Sequence, residues 1–498
     1  MQQLLAWFDG EEHARNMPWR KPWIDPNARS AKRARHAEDD GPSMHARLKV
    51  RAYQVWISEI MLQQTRVETV RDYWNRWMER WPTIEALASA TRDDVLSAWR
   101  GLGYYSRATR IHQAAQSVVH HPTLQGMLPA HVEDLQKMVP GVGRYTAGAI
   151  SSIVFGHAVP ILDGNIARVL SRQTGLYADP KSKATVDLLW DMARLLVEQA
   201  AAHANGDGQV PEHSATPGQW NQALMELGST LCTAQRPECN ACPIQRTCMV
   251  YAEGNLPADA AQHNDIPDME DVCTFCAPFP EQTAIAAPQP KAPPKKKMKQ
   301  TTLFGAAPPS QPEQQASHAA QQTLEYVRQF PLKVAKQASP IEPRLVCIVR
   351  ASPPPDGPPG EDRFWVEQRP DKGLLAGLWE FPMQLLLDGA QTNLLDTARG
   401  YIQHRLPPPW PSTETPIGVV ASNAHAQGTV RHVFSHLVWD LQVVLLDAST
   451  AFDPSIEVHH NVERHGAWLT AAEVESATMG TGMRRCWSLI TTDGACHT

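Results

Sequence analysis

Residues 135–148 read LQKMVPGVGRYTAG and join two helical patterns through the four residues Pro140-Gly141-Val142-Gly143. Glycine reaches positive φ without a Cβ clash, so two glycines around one valine permit a tight turn that another backbone can approach closely. The helix that follows would present unpaired N–H groups at its start, and such groups bind phosphate. The stretch therefore predicts two helices joined by a hairpin, and the simpler alternative is a helix–helix turn without a ligand.

The whole string LxxxxPGVGxxTA resembles the helix-hairpin-helix of DNA-binding proteins. An isolated glycine-x-glycine is a weak indicator, whereas the complete string favours DNA over a plain turn. The resemblance implies that Gly141, Val142, Gly143 and Arg144 bind DNA.

The 498-residue chain exceeds one ordinary domain, and its patterning divides it into three parts. Residues 1–255 place apolar side chains at helical spacing, as at Trp56, Ile57 and Ile60, which predicts an all-α domain. Inside this domain, residues 24–48 show no periodicity and are expected to form a surface loop.

The remaining two parts differ in composition. Residues 256–340 are rich in alanine, proline and glutamine and bury too little apolar surface to offset chain entropy, so a largely disordered connector is expected. Short β-type runs then lead into a final helix, which predicts an α+β domain over residues 341–498. The runs are 345–349, 363–369, 432–446 and 468–470.

Charge and hydropathy limit the function classes. The formal net charge of −6 argues against a wholly basic nucleic-acid binder, although local basic patches can still bind phosphates. No apolar run approaches the roughly 20 residues of a membrane-spanning helix, so no membrane partner is expected. The first residues mix charges too early for a secretory signal and are acidic for a mitochondrial one, which leaves room for a targeting segment upstream.

Four of the nine cysteines, Cys232, Cys239, Cys242 and Cys248, crowd into one short stretch. In an intracellular chain this pattern favours metal over disulfides. Four thiolates suit a tetrahedral zinc ion or a [4Fe–4S] cluster. Zinc sites usually contain two pairs of closely spaced cysteines, but in this stretch only Cys239 and Cys242 form such a pair. The spacing therefore favours [4Fe–4S], with zinc as the alternative.

Two carboxylates are candidates for chemistry. Asp163, in the stretch ILDGNIAR (161–168), precedes a predicted helix and is either an N-cap or a group that stabilises an oxocarbenium-like transition state of glycosidic cleavage. Glu59 flanks an apolar helical stripe. It is either an ordinary exposed glutamate or a half-buried acid whose raised pKa lets it protonate a leaving group. The sequence alone does not show whether Glu59 and Asp163 lie near each other in the fold.

Several stretches, in register along most of the chain, closely resemble adenine DNA glycosylases of the MutY type, which belong to the helix-hairpin-helix superfamily of endonuclease III. They are SEIMLQQT (58–65), GLGYYSRA (101–108), MVPGVGRYTAGAI (138–150), LDGNIARVL (162–170), MELGSTLC (225–232), LLAGLWEFP (374–382) and VFSH (433–436). That family excises adenine misincorporated opposite 8-oxoguanine. The resemblance implies the same substrate here, double-stranded DNA with 8-oxoguanine:adenine or guanine:adenine mispairs.

The resemblance also implies residue roles. Glu59 matches the acid glutamate and Asp163 the transition-state aspartate, while Tyr145 and Asn165 match further catalytic-site positions. The cysteine spacing resembles the cluster loop of endonuclease III-type glycosylases, which implies a [4Fe–4S] cofactor.

A second set of matches concerns the DNA duplex. Leu62, Gln63, Gln64 and Tyr104 match residues that enter the base stack or contact the lesion strand. Prying a base out of the stack costs a few kcal/mol, and inserted side chains hold the gap. Core packing is the alternative for each of them.

The residue at the position of Tyr145 distinguishes two groups of glycosylases within the superfamily. Thymine-glycol glycosylases of the same superfamily carry lysine at this hairpin position, and its amine forms a Schiff base that leads to strand scission. Tyrosine cannot do this, so a monofunctional glycosylase is expected. The alternatives are a bifunctional pyrimidine-lesion glycosylase/lyase and a non-catalytic DNA-lesion or clamp-binding protein.

The C-terminal domain resembles the Nudix-like domain of these enzymes, but the metal-binding Nudix box is absent from the sequence, so lesion recognition is the implied role. Phe434, Ser435 and His436 match the loop that inspects 8-oxoguanine. A plain strand with alternating faces is the alternative.

The connector carries partner and targeting signals. The run Lys295–Lys299 is either a nuclear import signal or a solvated charge run, and a sliding or checkpoint clamp is expected to dock on the connector. A zinc site is not favoured, because only Cys273 and Cys276 are present. We expect a monomer in the nucleus, with mitochondria as a second location.

Overall fold

A computed structural model of the chain describes residues 1–11, 15–26, 42–256, 274–277, 320–334, 339–353, 360–370, 373–386, 393–402, 406, 419–434, 436–450 and 465–493. They fall into two compact units. The first unit comprises Met1–Ala88 and Gln113–Ala335, and the second comprises Ser89–His112 and Lys336–Thr498. No helix in the described ranges is long and apolar enough to cross a bilayer.

The first half of the chain is helical, as predicted. Its helices are α1 (Gln2–Glu11), α2 (Met44–Leu62), α3 (Val67–Arg80), α4 (Ile84–Ala88), α5 (Arg92–Ala98), α6 (Ser106–His120), α7 (Val132–Met138), α8 (Arg144–Val154), α9 (Gly164–Thr174), α10 (Lys183–Asn205), α11 (Thr216–Thr230) and α12 (Met249–Gly254). Two short 3-10 turns, Cys239–Ala241 and Gln245–Thr247, lie between α11 and α12.

Helices α2 and α8 form the centre of the first unit. They pack against each other, and every α8 residue from Thr146 to Val154 is buried. Helix α11 packs on both α8 and α9. Helix α8 therefore packs against the helix that carries Glu59, and α11 connects it to the helix that Asp163 caps.

The start of α2 differs from expectation. Residues 44–48 were expected to belong to a surface loop, but they form the first turns of α2. The Ser43 side chain accepts a hydrogen bond from the Ala46 N–H at 3.2 Å and so caps the helix. Residues 27–41 of the same stretch lie outside the described residues.

Part of the stretch predicted as connector is helical. Residues 320–327 form a helix, α13, in the first unit. Val327 and Phe330 are buried against Cys248 and Val250 of the first unit. The apolar residues of this segment pack against residues of the helical domain. The composition of the segment alone does not reveal these contacts.

The second unit contains a mixed sheet. Its strands are β1 (Ile341–Ala351), β2 (Arg363–Gln368), β3 (Trp379–Glu380), β4 (Met383–Leu385), β5 (Val419–Val433), β6 (Val438–Thr450) and β7 (Gly466–Thr470), with helices α14 (Leu394–Ile402), α15 (Ala471–Ser476) and α16 (Thr481–Asp493). The strand order is β3-β2-β1-β6-β5, while β4 pairs with β1 and β7 with β2. Strands β1 and β6 are parallel, and the other pairs are antiparallel.

Both faces of this sheet are covered. Along β1, Val346 and Ile348 enter a core with α16, while Leu345 and Cys347 enter one with α14. The predicted α+β character is confirmed, although the run 432–446 is a hairpin rather than one strand.

Gly148 sets the distance between α8 and the segment that leads to Asp163. A Cβ at Gly148 would collide with the backbone carbonyl oxygen of Pro160 and meet Ile161 at 3.2 Å. Small residues are therefore required where α8 crosses this segment.

We expect Gly148→Ala to lower the free energy of unfolding by about 1–3 kcal/mol, because overpacking against backbone cannot relax through side-chain rotation. Urea unfolding measures the loss. Gly10→Ala in α1, where nothing lies within 4 Å of the new Cβ, should instead leave stability equal or raise it by about 0.5–1 kcal/mol. Equal stabilities for the two variants would contradict the close approach.

Candidate active site

Glu59 lies in the buried face of α2, with 6% of its surface exposed. The Tyr145 hydroxyl of α8 donates a hydrogen bond to its Oε2 at 3.0 Å, and the Met225 sulfur of α11 lies 2.9 Å from the same hydroxyl. Three helices thus converge on this carboxyl group. The alternative of an exposed helical glutamate does not hold.

Burial dominates the titration of Glu59. Desolvation raises its pKa to about 7, against the opposing effects of the Tyr145 hydrogen bond and the positive charge of Arg20, and Asp163 adds a smaller upward contribution. Burial also raises the pKa of Tyr145 well above its usual value, so its hydroxyl keeps its proton. Near neutral pH, Glu59 can therefore hold a proton and release it, which a general acid requires.

Asp163 is the N-cap of α9. Its Oδ1 accepts from the backbone N–H groups of Asn165 at 3.0 Å and Ile166 at 2.8 Å, and its Oδ2 accepts from Asn165 Nδ2 at 2.8 Å. Its charge also acts on both Glu59 and Tyr145. The N-cap interpretation is thus correct, and it is compatible with a catalytic role, because capping fixes the carboxylate beside Glu59.

The Asn165 side chain is held in turn. Arg168 Nη2 donates to Asn165 Oδ1 at 2.9 Å and to the Gly228 carbonyl at 2.7 Å, while Arg168 Nε donates to the Cys232 carbonyl at 2.8 Å. A continuous chain of hydrogen bonds therefore runs from Asp163 to the first cysteine of the four-cysteine stretch.

A buried ion pair network beside Glu59 was not foreseen from the sequence. Glu226 is 2% exposed and accepts from Arg15 at 2.9 Å and from Arg20 at 2.6 Å. Arg20 Nη1 is buried without a hydrogen-bond partner among the described groups. In the sequence, Glu226 is marked only by its position beside Met225 in MELGSTLC (225–232), one of the stretches that resemble the glycosylase family. The network places a positive charge near Glu59, which lowers the pKa of that carboxyl group against the effect of burial.

The predicted turn of the hairpin is present, but its residues differ in backbone conformation and in exposure. Gly141 has φ +80° and is exposed, whereas Gly143 has φ −91° and is the N-cap of α8 without a side-chain cap. Val142 is 6% exposed and its N–H donates to the Val139 carbonyl at 3.2 Å. Its side chain anchors the turn in the core, and DNA binding by Val142 stays a prediction.

Arg144 begins α8 and is exposed, with its guanidinium 3.9 Å from the centre of the Trp190 ring. This cation–π contact joins the hairpin to α10. The open start of α8 remains suited to phosphate.

Three of the predicted wedge residues lie together at the end of α2. Leu62 is half-buried, whereas Gln63 and Gln64 are exposed, and Gln64 has φ +56°. The chain therefore turns sharply here and presents polar side chains to solvent. Tyr104 belongs to the second unit, is 49% exposed and has φ +49°, so core packing does not explain it.

The predicted lesion loop is the turn between β5 and β6. The Phe434 N–H donates to the Leu437 carbonyl at 2.8 Å, and the Phe434 ring packs edge-on against Trp439 at 4.7 Å. His436 is exposed, and Ser435 lies outside the described residues. The loop thus has a fixed aromatic base and an exposed imidazole.

The four cysteines Cys232, Cys239, Cys242 and Cys248 line one cavity. No group of three or more His, Cys, Asp or Glu within the described ranges is arranged to hold a single metal ion. Burial raises the pKa of Cys239 to about 11 and of Cys242 to about 12, and the neighbouring cysteines add to both shifts. The four thiols therefore line one buried space.

Arg172 of α9 lines the same cavity and is 1% exposed. Its Nη1 donates to Cys232 Sγ at 3.3 Å, and its Nη2 is buried without a hydrogen-bond partner in the described part of the chain. A buried cation with a spare donor fits an anionic group held by thiolates.

Comparison with known proteins identifies the family of the chain. Residues 57–194 match the HhH-GPD superfamily of base excision DNA repair proteins, and residues 359–489 match the NUDIX domain. The rat adenine DNA glycosylase is 35% identical, with 97% of this chain and 76% of that protein covered. The chain belongs to the adenine DNA glycosylase family. The human member is also 35% identical, with 97% of this chain and 72% of that protein covered.

Among solved structures, a thermostable thymine-DNA glycosylase is similar with a TM-score of 0.37 and 20% identity, and the match covers 51% of this chain and 94% of that one. The two family matches show that a helix-hairpin-helix part and a Nudix-like part occur together in this chain, as the sequence predicts.

The raised pKa of Glu59 has a consequence for stability. Folding raises this pKa from 4.5 to about 7, so the contribution of Glu59 is fully present below about pH 4.5 and is lost as the pH rises through about 7. Between pH 5 and pH 8 we expect wild type to lose about 2.5 kcal/mol relative to Glu59→Gln, which does not titrate. Urea unfolding of both proteins at each pH measures this, and parallel pH profiles would refute it.

Proposed function

We propose that this protein hydrolyses the N-glycosidic bond of adenine paired with 8-oxoguanine or guanine in DNA and leaves the backbone uncut. The observation that carries the proposal is the cluster of Glu59, Tyr145 and Asp163, in which a buried carboxyl group with a pKa of about 7 lies beside a capped carboxylate. Membership of the adenine DNA glycosylase family supports adenine as the base.

Glu59 acts as the general acid. In its protonated form it donates to the departing base, and Tyr145 holds the carboxyl in place. Protonation of a leaving group contributes typically 10²–10⁴-fold to a rate. Arg20, which is paired with Glu226, opposes the rise of the Glu59 pKa through its positive charge.

Asp163 stabilises the positive charge that develops on the sugar. Two unit charges ~4 Å apart at an effective dielectric of ~20 interact by ~4 kcal/mol, which corresponds to roughly a thousandfold in rate. The two backbone N–H groups and the Asn165 amide hold the carboxylate before the reaction starts, so little reorganisation is needed.

Lesion recognition is assigned to the second unit. The Nudix-like match and the exposed His436 beside the fixed Phe434 support a turn that inspects the base opposite adenine. Gln63, Gln64 and Tyr104 are exposed, as duplex contacts require.

We further propose that the four cysteines hold a [4Fe–4S] cluster. All four thiols line one cavity with a spare Arg172 donor, and their spacing along the chain favours a cluster over zinc. When bound, the cluster fixes the loop; the glycosidic chemistry above uses none of its atoms.

The proposed partners and location rest on sequence alone. A sliding or checkpoint clamp would bind the connector, and Lys295–Lys299 would direct nuclear import; these residues lie outside the described ranges. We propose a nuclear monomer that acts on double-stranded DNA.

Single-turnover adenine release from an 8-oxoguanine:adenine duplex tests the mechanism. We expect Glu59→Gln and Asp163→Asn each to slow release by about a hundredfold or more. Asparagine is also a good N-cap, so Asp163→Asn removes the charge and keeps the helix start. If wild type binds the duplex tightly but releases no adenine, the protein is a non-catalytic lesion binder.

A bifunctional lyase is the competing function, and Tyr145 argues against it because phenol forms no Schiff base. With borohydride present during turnover, we expect no covalent protein–DNA adduct. An endonuclease III-type enzyme on its own substrate is the positive control. A strong adduct with this protein would overturn the monofunctional assignment.

A further inference from the structure

Residues 320–330, here called the cover segment, pack beside the four-cysteine cavity. Val327 is 1% exposed and Phe330 is 3% exposed, and both are buried in a cluster with Cys248 and Val250. Val327 also lines the cavity that the four cysteines line. The cover segment is therefore one wall of the proposed cofactor site.

Polar contacts hold the same segment to the end of α12. Thr323 Oγ1 donates to the Gly254 carbonyl at 2.9 Å, and the Tyr326 hydroxyl donates to Glu253 Oε2 at 3.1 Å. These bonds and the buried apolar contacts together make a specific docking surface for the segment.

Arg172 joins the cover segment to the cysteine loop. Its Nε donates to the Phe330 carbonyl at 3.2 Å, and its Nη1 donates to the Cys232 carbonyl at 3.2 Å and the Thr233 carbonyl at 2.9 Å, in addition to Cys232 Sγ. One buried guanidinium thus contacts a cysteine ligand, the loop backbone and the cover segment.

We propose that the cover segment is a built-in lid of the four-cysteine site, and that its docking and occupancy of the site stabilise each other through Arg172. The inference rests on the [4Fe–4S] assignment above. An anionic cluster satisfies the buried guanidinium, which keeps Arg172 in place to bind Phe330. An empty site leaves the cation without that partner, and burial of an unpaired charge is unfavourable.

Thermodynamic linkage makes the coupling reciprocal. If the bound cluster favours the docked segment, the docked segment must slow or weaken loss of the cluster by the same free energy. Each direction has its own readout, and neither requires an activity assay.

The first readout is hydrogen exchange of the full chain, loaded with cluster and after removal of iron by a chelator. Amides of residues 323–330 should lose protection on iron removal, while α15 in the second unit should not change. Unchanged protection of residues 323–330 would overturn the inference.

The second readout is the rate at which visible cluster absorbance disappears in excess chelator. We expect Val327→Asp to accelerate the loss at least about tenfold, because it places a charge in a buried apolar contact. The matched control is Val334→Asp, since Val334 is 55% exposed and should behave as wild type.

A second variant, Arg172→Lys, distinguishes loss of the lid contacts from a general folding defect. Lysine keeps the charge but cannot donate to Phe330, the loop carbonyls and Cys232 Sγ together, so its loss rate should match that of Val327→Asp while circular dichroism stays native. Equal rates of cluster loss in wild type and all three variants would refute the lid proposal but not the presence of the cluster. Absence of iron from freshly prepared wild type would refute the cofactor proposal and the lid with it.

Discussion

The fixed position of the Asp163 carboxylate is the constraint on which the helical unit depends. A carboxylate beside the buried Glu59 must be compensated, and the start of α9 does this with two backbone N–H groups and the Asn165 amide. Arg168 fixes Asn165 and reaches the carbonyls of Gly228 and Cys232. Helix α9, α11 and the start of the cysteine loop must all be in place for this one group to be held.

Close backbone packing supports that arrangement. A Cβ on Gly228 would lie 2.9 Å from the Asn165 carbonyl oxygen, so glycine is needed where α11 meets the start of α9. Gly148 plays the same part between α8 and Pro160. Because interiors are packed to near crystalline density, such contacts leave little freedom for the carboxylate to move.

Burial creates both the reactivity of Glu59 and the need for compensation around it. Desolvation is the largest cause of its raised pKa, and Arg20 and Tyr145 moderate the effect. Arg20 is itself paired to Glu226. The buried charges therefore form one coupled set, in which removing any member changes the electrostatic field at the acid group.

The sequence by itself determined the hairpin, the helical and α+β halves, the N-cap at Asp163 and the cysteine stretch, because each depends on local spacing and backbone preference. It did not determine that Glu59 is buried, that Val142 faces the core, or that Arg15 and Arg20 pair with Glu226. Those features depend on contacts between residues far apart in the chain. Burial, and with it the pKa of a carboxyl group, is a property of the assembled packing, so only the tertiary structure decided which glutamate can act as an acid.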